Sequence, residues 1–149
     1  MGSASRPNPA LERLGFLVGT WKTTGKHPMV PGTTLHGDVS FEWIEGGAFI
    51  VMRSRMDDPR FPAGIAIFGS DDGTGEYFIL YFDERGVSRK YEVSVEEHSW
   101  RWWRNAPELS QRFAVTVSAD GRTMEGRGRL SRDGSTWEGD LDLTYTKTG

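Results

Sequence analysis

The chain has 149 residues, 36% hydrophobic and 12% aromatic, a length that predicts one domain over residues 1–149. Its 18 basic and 21 acidic residues give a net charge of −3, so no nucleic-acid partner is expected. No apolar run approaches the roughly 18 residues of a membrane span, and residues 1–9 lack an apolar signal core. These features favour a cytoplasmic protein without membrane contact.

Cysteine is absent, which excludes disulfides, thiolate metal ligands and cysteine nucleophiles. The histidines His27, His36 and His98 are dispersed, so neither a metal nor another cofactor is expected. His36 and Asp38 share one strand face as a candidate base and its orienting acid, but the alternation of their strand predicts that both face solvent. No nucleophile elbow, phosphate loop or dinucleotide fingerprint is present.

The chain begins with a segment, residues 1–8, that is predicted to be flexible, followed by one short helix. Leu11, Leu14 and either Leu17 or Val18 recur at helical spacing, with Asn8 as a possible N-cap and Pro9 at the first helical position. Everything after this helix alternates apolar and polar residues between glycine-containing turns, which is typical of an all-β domain.

The alternation predicts ten strands. Their expected ranges are 20–26, 36–44, 48–57, 63–70, 76–83, 87–95, 98–105, 110–118, 122–131 and 137–147. Short turns such as Glu84-Arg85-Gly86 and Ala119-Asp120-Gly121 are suited to hairpins, because glycine tolerates a positive φ. An open meander of ten twisted strands would expose two edges, so the predicted fold is a closed, up-and-down antiparallel barrel with a short N-terminal helix.

Glycines occupy several positions predicted to point into this barrel. The ninth strand places Met124, Gly126 and Gly128 inward, and the tenth places Gly139 inward on the face of Trp137, Leu141, Leu143 and Tyr145. Missing side chains there would leave a cavity. The alternative is that these glycines relieve crowding where the barrel bends or tryptophans cross.

Polar side chains are also predicted to face inward. Arg89 and Tyr91 share one face of the sixth strand, Trp102 and Arg104 one face of the seventh, and Gln111 lies on the eighth. Together they form a candidate acceptor for a carboxylate, with arginine as a forked cation and tyrosine as a neutral donor. The alternative is an internal ion pair or hydrogen-bond cluster involving Gln111 or Asp83.

The fourth and fifth strands are apolar on both faces, so something must cover their outer side. Ile65 and Ile67 alternate with Ala66 and Phe68, and residues 77–82 are apolar or aromatic throughout. A homodimer through strands 63–70 and 76–83, or the opening helix, would provide that cover.

Several longer strings carry a family resemblance. The entry Gly19-Thr20-Trp21 after a short helix resembles that of calycin barrels, which include lipocalins, fatty-acid-binding proteins and nitrobindins. Phe41-Glu-Trp-Ile-Glu-Gly-Gly-Ala-Phe49, Tyr81-Phe-Asp-Glu-Arg-Gly-Val-Ser-Arg89, Ser110-Gln-Arg-Phe113 and Asp133-Gly-Ser-Thr-Trp137 through Tyr145 are similar to a group of largely uncharacterised bacterial proteins with ten-stranded calycin-like barrels.

The resemblance implies the fold and a structural role for Trp21 at the closed barrel end. Fatty-acid-binding proteins use an Arg-x-Tyr arrangement similar to Arg89 and Tyr91, on a different strand. Nitrobindins hold haem through a histidine on a late strand, whereas this chain has no histidine after His98. The group often carries Glu-His-Asp where this chain has Glu138-Gly139-Asp140, and a bulky residue where Gly128 stands, which favours an emptied interior.

Three functional hypotheses follow. The first is binding of a small, mostly apolar or amphipathic molecule whose polar or anionic end meets Arg89, Tyr91, Arg104 and Gln111. The second is an enzyme in the same pocket, an isomerase or cyclase of a secondary metabolite, with Tyr91 or Tyr145 as proton donor. The third is a barrel with a filled core that acts as an interaction module through its apolar outer face.

Overall fold

The computed structural model describes residues 8–149. The predicted flexible segment 1–8 lies almost wholly outside the described residues. Ten antiparallel strands form one closed barrel in the order β1-β10-β9-β8-β7-β6-β5-β4-β3-β2. The strands are β1 Gly19–Lys26, β2 Leu35–Ile44, β3 Phe49–Met56, β4 Gly64–Ser70, β5 Tyr77–Asp83, β6 Ser88–Val95, β7 Ser99–Arg104, β8 Ser110–Val117, β9 Thr123–Ser131 and β10 Glu138–Lys147.

This architecture confirms the predicted fold class, and each predicted strand is present within one residue at either end. Sequential strands pair as hairpins, and the ring closes between β1 and β10, where Thr23 lies opposite Tyr145. Gly86 and Gly121 adopt φ of 84° and 71° in their turns, a region that L side chains rarely occupy. The turn residues therefore favour the hairpins that the alternation predicts.

The opening helix, Pro9–Leu17, is a 3₁₀ helix that closes one end of the barrel. Its N-cap Asn8 accepts a hydrogen bond from the backbone N–H of Ala10, and Leu11, Leu14 and Leu17 are fully buried. Trp21 is also buried and donates its indole N–H to the carbonyl of Leu17 at 2.9 Å. Trp21 thus joins the helix to the closed end, as the resemblance implied.

The tenth strand contains a β-bulge that changes which side chains face inward. Asp140 and Leu141 both lie opposite Gly128, between the regular pairs Gly139–Arg129 and Asp142–Arg127. One extra residue reverses the alternation before the bulge, so Gly139 is exposed and Asp140 lines the interior. The prediction that Trp137 and Gly139 point inward is therefore wrong, and Trp137 packs on the outer face against the Arg112 guanidinium.

The inward glycines of β9 do not leave empty space. A Cβ on Gly126 would lie 2.3 Å from Cζ of Phe113, and one on Gly128 would lie 2.5 Å from the carbonyl oxygen of Leu141. Gly126 is covered by an aromatic ring, and Gly128 admits the main chain of the bulge. The alternative that these glycines relieve crowding is the correct one, and the cavity has another origin.

The outer face of β4 and β5 is uncovered within residues 8–149. Ile65, Leu80 and Phe82 retain 41%, 37% and 42% of their surface exposed, since the opening helix packs at the barrel end instead. The homodimer through these strands stays a prediction. No helix in this part of the chain is long and apolar enough to cross a membrane.

Candidate functional site

A cavity of about 390 Å³ lies inside the barrel, lined mainly by apolar and aromatic side chains. Its aromatic walls come from neighbouring strands: Trp102 stacks on Phe113 with 5.3 Å between ring centroids, and Tyr91 packs against Trp102 at 4.4 Å. Its volume is comparable to that of small ligand pockets, which span roughly 300–1,000 Å³. The barrel is therefore packed at its helix end and open within.

Arg89, Tyr91 and Gln111 meet on the cavity wall as predicted from their strand faces. Gln111 Oε1 accepts hydrogen bonds from the Tyr91 hydroxyl at 2.9 Å and from Arg89 Nη1 at 3.3 Å. Burial raises the pKa of Tyr91, and the Arg89 guanidinium beside it acts in the opposite direction. Tyr91 is thus a neutral hydrogen-bond donor at neutral pH.

The other predicted site residues divide between wall and core. Trp102 and Tyr145 line the cavity. Arg104 does not line the cavity. Its guanidinium approaches the carbonyl oxygen of Lys90 at 3.5 Å. From there its positive charge lowers the pKa of Tyr91. Met124 is fully buried in the packed core. Phe113 packs against Gly126, the main chain of Leu141 lies against Gly128, and Gly139 is exposed.

A second arginine at the same end of the barrel is already neutralised. Arg85 binds Asp83 with Nη2–Oδ2 at 2.7 Å, and the Tyr81 hydroxyl donates to the same carboxylate at 2.7 Å. These bonds hold the pKa of Asp83 well below its ordinary value, and burial together with Asp83 raises that of Tyr81. Asp83 therefore bonds with Arg85 and Tyr81, and Gln111 with Arg89 and Tyr91.

His27 and Asp140 also line the cavity, and neither was predicted as a site residue. His27 Nε2 lies 3.2 Å from Asp140 Oδ1, and His27 Nδ1 accepts the backbone N–H of Met29 at 3.0 Å. Both ring nitrogens of His27 are therefore engaged in hydrogen-bonding contacts, one with Asp140 and one with the backbone of Met29. Asp140 reaches this position through the bulge, which period-two alternation does not reveal.

Two small polar groups on the cavity wall were also missed. Thr23 lies on the same face of β1 as the buried Trp21, so simple alternation from Trp21 would have found it. Ser54 lines the cavity from β3.

The indole N–H of Trp100, another lining residue, is buried without a hydrogen-bond partner in the described part of the chain. Within residues 8–149 no group of three or more His, Asp or Glu side chains could hold a metal ion.

Comparisons with known proteins identify a similar fold. No protein-family model and no curated protein matches this sequence. Among solved structures, the chain is similar to the crystal structure of Rv2717c from M. tuberculosis, with a TM-score of 0.70 and 14% identity over 97% of this chain and 100% of that one. At that identity the likeness establishes the fold alone, a closed ten-stranded antiparallel β-barrel of a kind that fits a ligand-binding cavity.

Proposed function

We propose that the protein binds a small, largely apolar molecule that carries a carboxylate at one end. The observation that carries this proposal is the Arg89 guanidinium, which lines an apolar cavity and has no carboxylate within 4.0 Å among residues 8–149. Arg85 at the same end of the barrel differs, because Asp83 neutralises it. Arg55, which also lines the cavity, is paired with Asp38 and Asp57, so among the lining arginines of residues 8–149 Arg89 is the one without an acidic partner.

The chemistry around Arg89 suits an anion. A half-buried guanidinium is costly to desolvate without a counter-charge, and a carboxylate accepts its parallel N–H groups as a fork. The Gln111 carbonyl oxygen already accepts from Arg89 and Tyr91, so the Gln111 amide N–H₂ is left to donate to the same ligand. Trp102 and Phe113 supply an apolar wall for the rest of the molecule.

The alternative of an enzyme in this cavity has less support. His27, the histidine that lines the cavity, has both ring nitrogens engaged. Burial raises the pKa values of Tyr91 and Tyr145, which keeps both phenols protonated and makes them weak acids. The cavity itself also weighs against a filled-core interaction module.

The experiment compares an acid with a neutral molecule of the same length. Octanoate and octanol are titrated into the wild-type protein by calorimetry, and then into Arg89→Met and a control, Arg101→Met. Arg101 is exposed on the outer face of β7, over the Trp103 ring, so the control removes the same charge outside the cavity.

We expect Arg89→Met to weaken octanoate binding about tenfold to a hundredfold, since hydrogen bonds to charged groups contribute roughly 1.5–3 kcal/mol. Octanol binding and the Arg101→Met control are expected to change little. Equal losses for the acid and the alcohol, or no binding of octanoate to the wild-type protein, would contradict the proposal.

A further inference from the structure

Two hydroxyl groups lie deep in the cavity, away from Arg89. Tyr145 on β10 and Thr23 on β1 are direct cross-strand partners, and both line the cavity. Only 5% of Tyr145 and 3% of Thr23 is exposed. Within residues 8–149 neither hydroxyl makes a hydrogen bond, and the fully buried side-chain atom without a partner is the Trp100 indole nitrogen, so both hydroxyl oxygens reach the surface of the cavity.

Packing alone does not explain these hydroxyls. The Tyr145 ring packs edge-on against Trp21 with 6.4 Å between centroids, a contact that phenylalanine would make equally well. Burial is what raises the pKa of Tyr145, with no charged neighbour involved. The phenol is therefore a neutral group whose hydroxyl can donate to, and accept from, a molecule in the cavity.

The pair lies across the barrel from the arginine. In the closed ring, β1 and β6 are separated by four strands on either side, β10-β9-β8-β7 and β2-β3-β4-β5. Tyr145 is also near the helix end, since it contacts Trp21, whereas Arg89 follows the 84–87 turn at the other end. One continuous cavity contacts both residues.

We propose that Tyr145 and Thr23 form a second polar subsite, and that the ligand is bifunctional. Its carboxylate binds Arg89, its apolar middle packs on the aromatic walls, and a hydroxyl or carbonyl oxygen at the far end hydrogen-bonds with Tyr145 and Thr23. The chemical class is a short hydroxy or keto acid with the two polar groups at opposite ends. This inference rests on the proposed function, because it assumes that the acid end binds at Arg89.

The test removes the terminal hydroxyl of the ligand and the hydroxyl of the side chain, separately and together, and compares the binding affinities. Straight-chain carboxylates of six to ten carbons, each with and without a terminal hydroxyl, are titrated into wild-type protein and Tyr145→Phe. Thr23→Val is the second variant at the subsite. Arg101→Met is the control that leaves both subsites intact.

At the chain length that spans the cavity, Tyr145→Phe should weaken the hydroxy acid about three- to tenfold and leave the plain acid unchanged or slightly tighter. Thr23→Val should act in the same direction. The inference is overturned if Tyr145→Phe and Thr23→Val change both acids equally or neither, even where plain acids bind in an Arg89-dependent way. Arg89-dependent binding of plain acids without a subsite effect would leave the proposed function intact. Failure of every carboxylate to bind would contradict both the proposed function and the second subsite.

Discussion

The helix end and the opposite end of this barrel are built from different side chains. At the helix end Leu11, Leu14, Leu17 and Trp21 are buried and closely packed, and Trp21 donates its indole N–H to the carbonyl of Leu17. At the opposite end Arg89, Tyr91 and Gln111 form one cluster, and Tyr81, Asp83 and Arg85 form another.

This contrast indicates a division of roles. The helix end buries apolar surface without polar cost, which is the main source of folding stability. The opposite end keeps polar groups in partly dry surroundings, a costly arrangement that is useful for recognising a ligand. Substitutions at the helix end should therefore change stability, and substitutions of the Arg89 cluster should change binding.

The largest effect is expected at the helix end. Leu14→Ala should lower the free energy of unfolding by about 2–5 kcal/mol, because a fully buried side chain is lost and a cavity remains. Urea denaturation measures the change, and octanoate affinity should stay within error. The control Leu80→Ala, on the partly exposed outer face of β5, should cost much less. An equal loss at both leucines would contradict the contrast.

The next effect concerns the ion pair between Asp83 and Arg85 at the opposite end. Asp83→Asn should lower the free energy of unfolding by roughly 1.5–3 kcal/mol at neutral pH, since Arg85 and Tyr81 lose a charged acceptor. The pKa of Asp83 is lower in the folded state than in the unfolded chain. The carboxylate therefore stabilises the fold at pH values above its ordinary pKa of about 3.9, and this stabilisation is lost as the pH falls through the lowered, folded-state pKa.

Denaturation at several pH values checks this sign. The difference between wild type and Asp83→Asn should be widest near pH 7 and should shrink below about pH 4. Asp57→Asn removes an exposed carboxylate paired with Arg55 and should have little effect at any of these pH values. A difference that grows on acidification would contradict the assignment.

A pair of glycines tests the bulge. Gly128→Ala should cost about 1–3 kcal/mol, because its Cβ would press on the main chain of Leu141, which cannot move aside easily. Gly139→Ala should be nearly neutral, since a Cβ there would meet only Pro28 at an ordinary 3.6 Å. Thermal denaturation of both variants checks the order. Equal costs would mean that Gly139 also points inward.

The smallest effect is expected from Tyr145, whose hydroxyl faces the cavity and makes no hydrogen bond within residues 8–149. Tyr145→Phe should change the free energy of unfolding by less than about 1 kcal/mol, because no hydrogen bond within residues 8–149 is lost. Tyr91→Phe, in contrast, breaks the bond to Gln111 and should lower it by about 0.5–1.5 kcal/mol. A lower free energy of unfolding for Tyr145→Phe would mean that this hydroxyl makes a stabilising hydrogen bond without added ligand.

Sequence alternation predicted the strands and most of the inner wall, because side-chain direction has a strict period of two in regular strands. Arg89, Tyr91 and Gln111 were found in this way, on strands without a break in register. The same rule misplaced Gly139 and Asp140, because one extra residue in β10 reverses the faces before the bulge. Whether a glycine leaves a void or admits a neighbour also depends on the opposite strand, as Gly126 and Phe113 illustrate.

Closure of the ring has a consequence for how the chain folds. The hydroxyls of Thr20, on β1, and Thr148, the residue after β10, lie 3.0 Å apart at a sequence separation of 128, and β1 and β10 form the final seam of the barrel. Every other strand pair joins sequential neighbours. During synthesis on the ribosome, nine strands can pair locally before the tenth emerges, but β1 keeps an open edge until then. When β10 pairs with β1, it covers this open strand edge, and the nascent chain is then less prone to pair with other molecules.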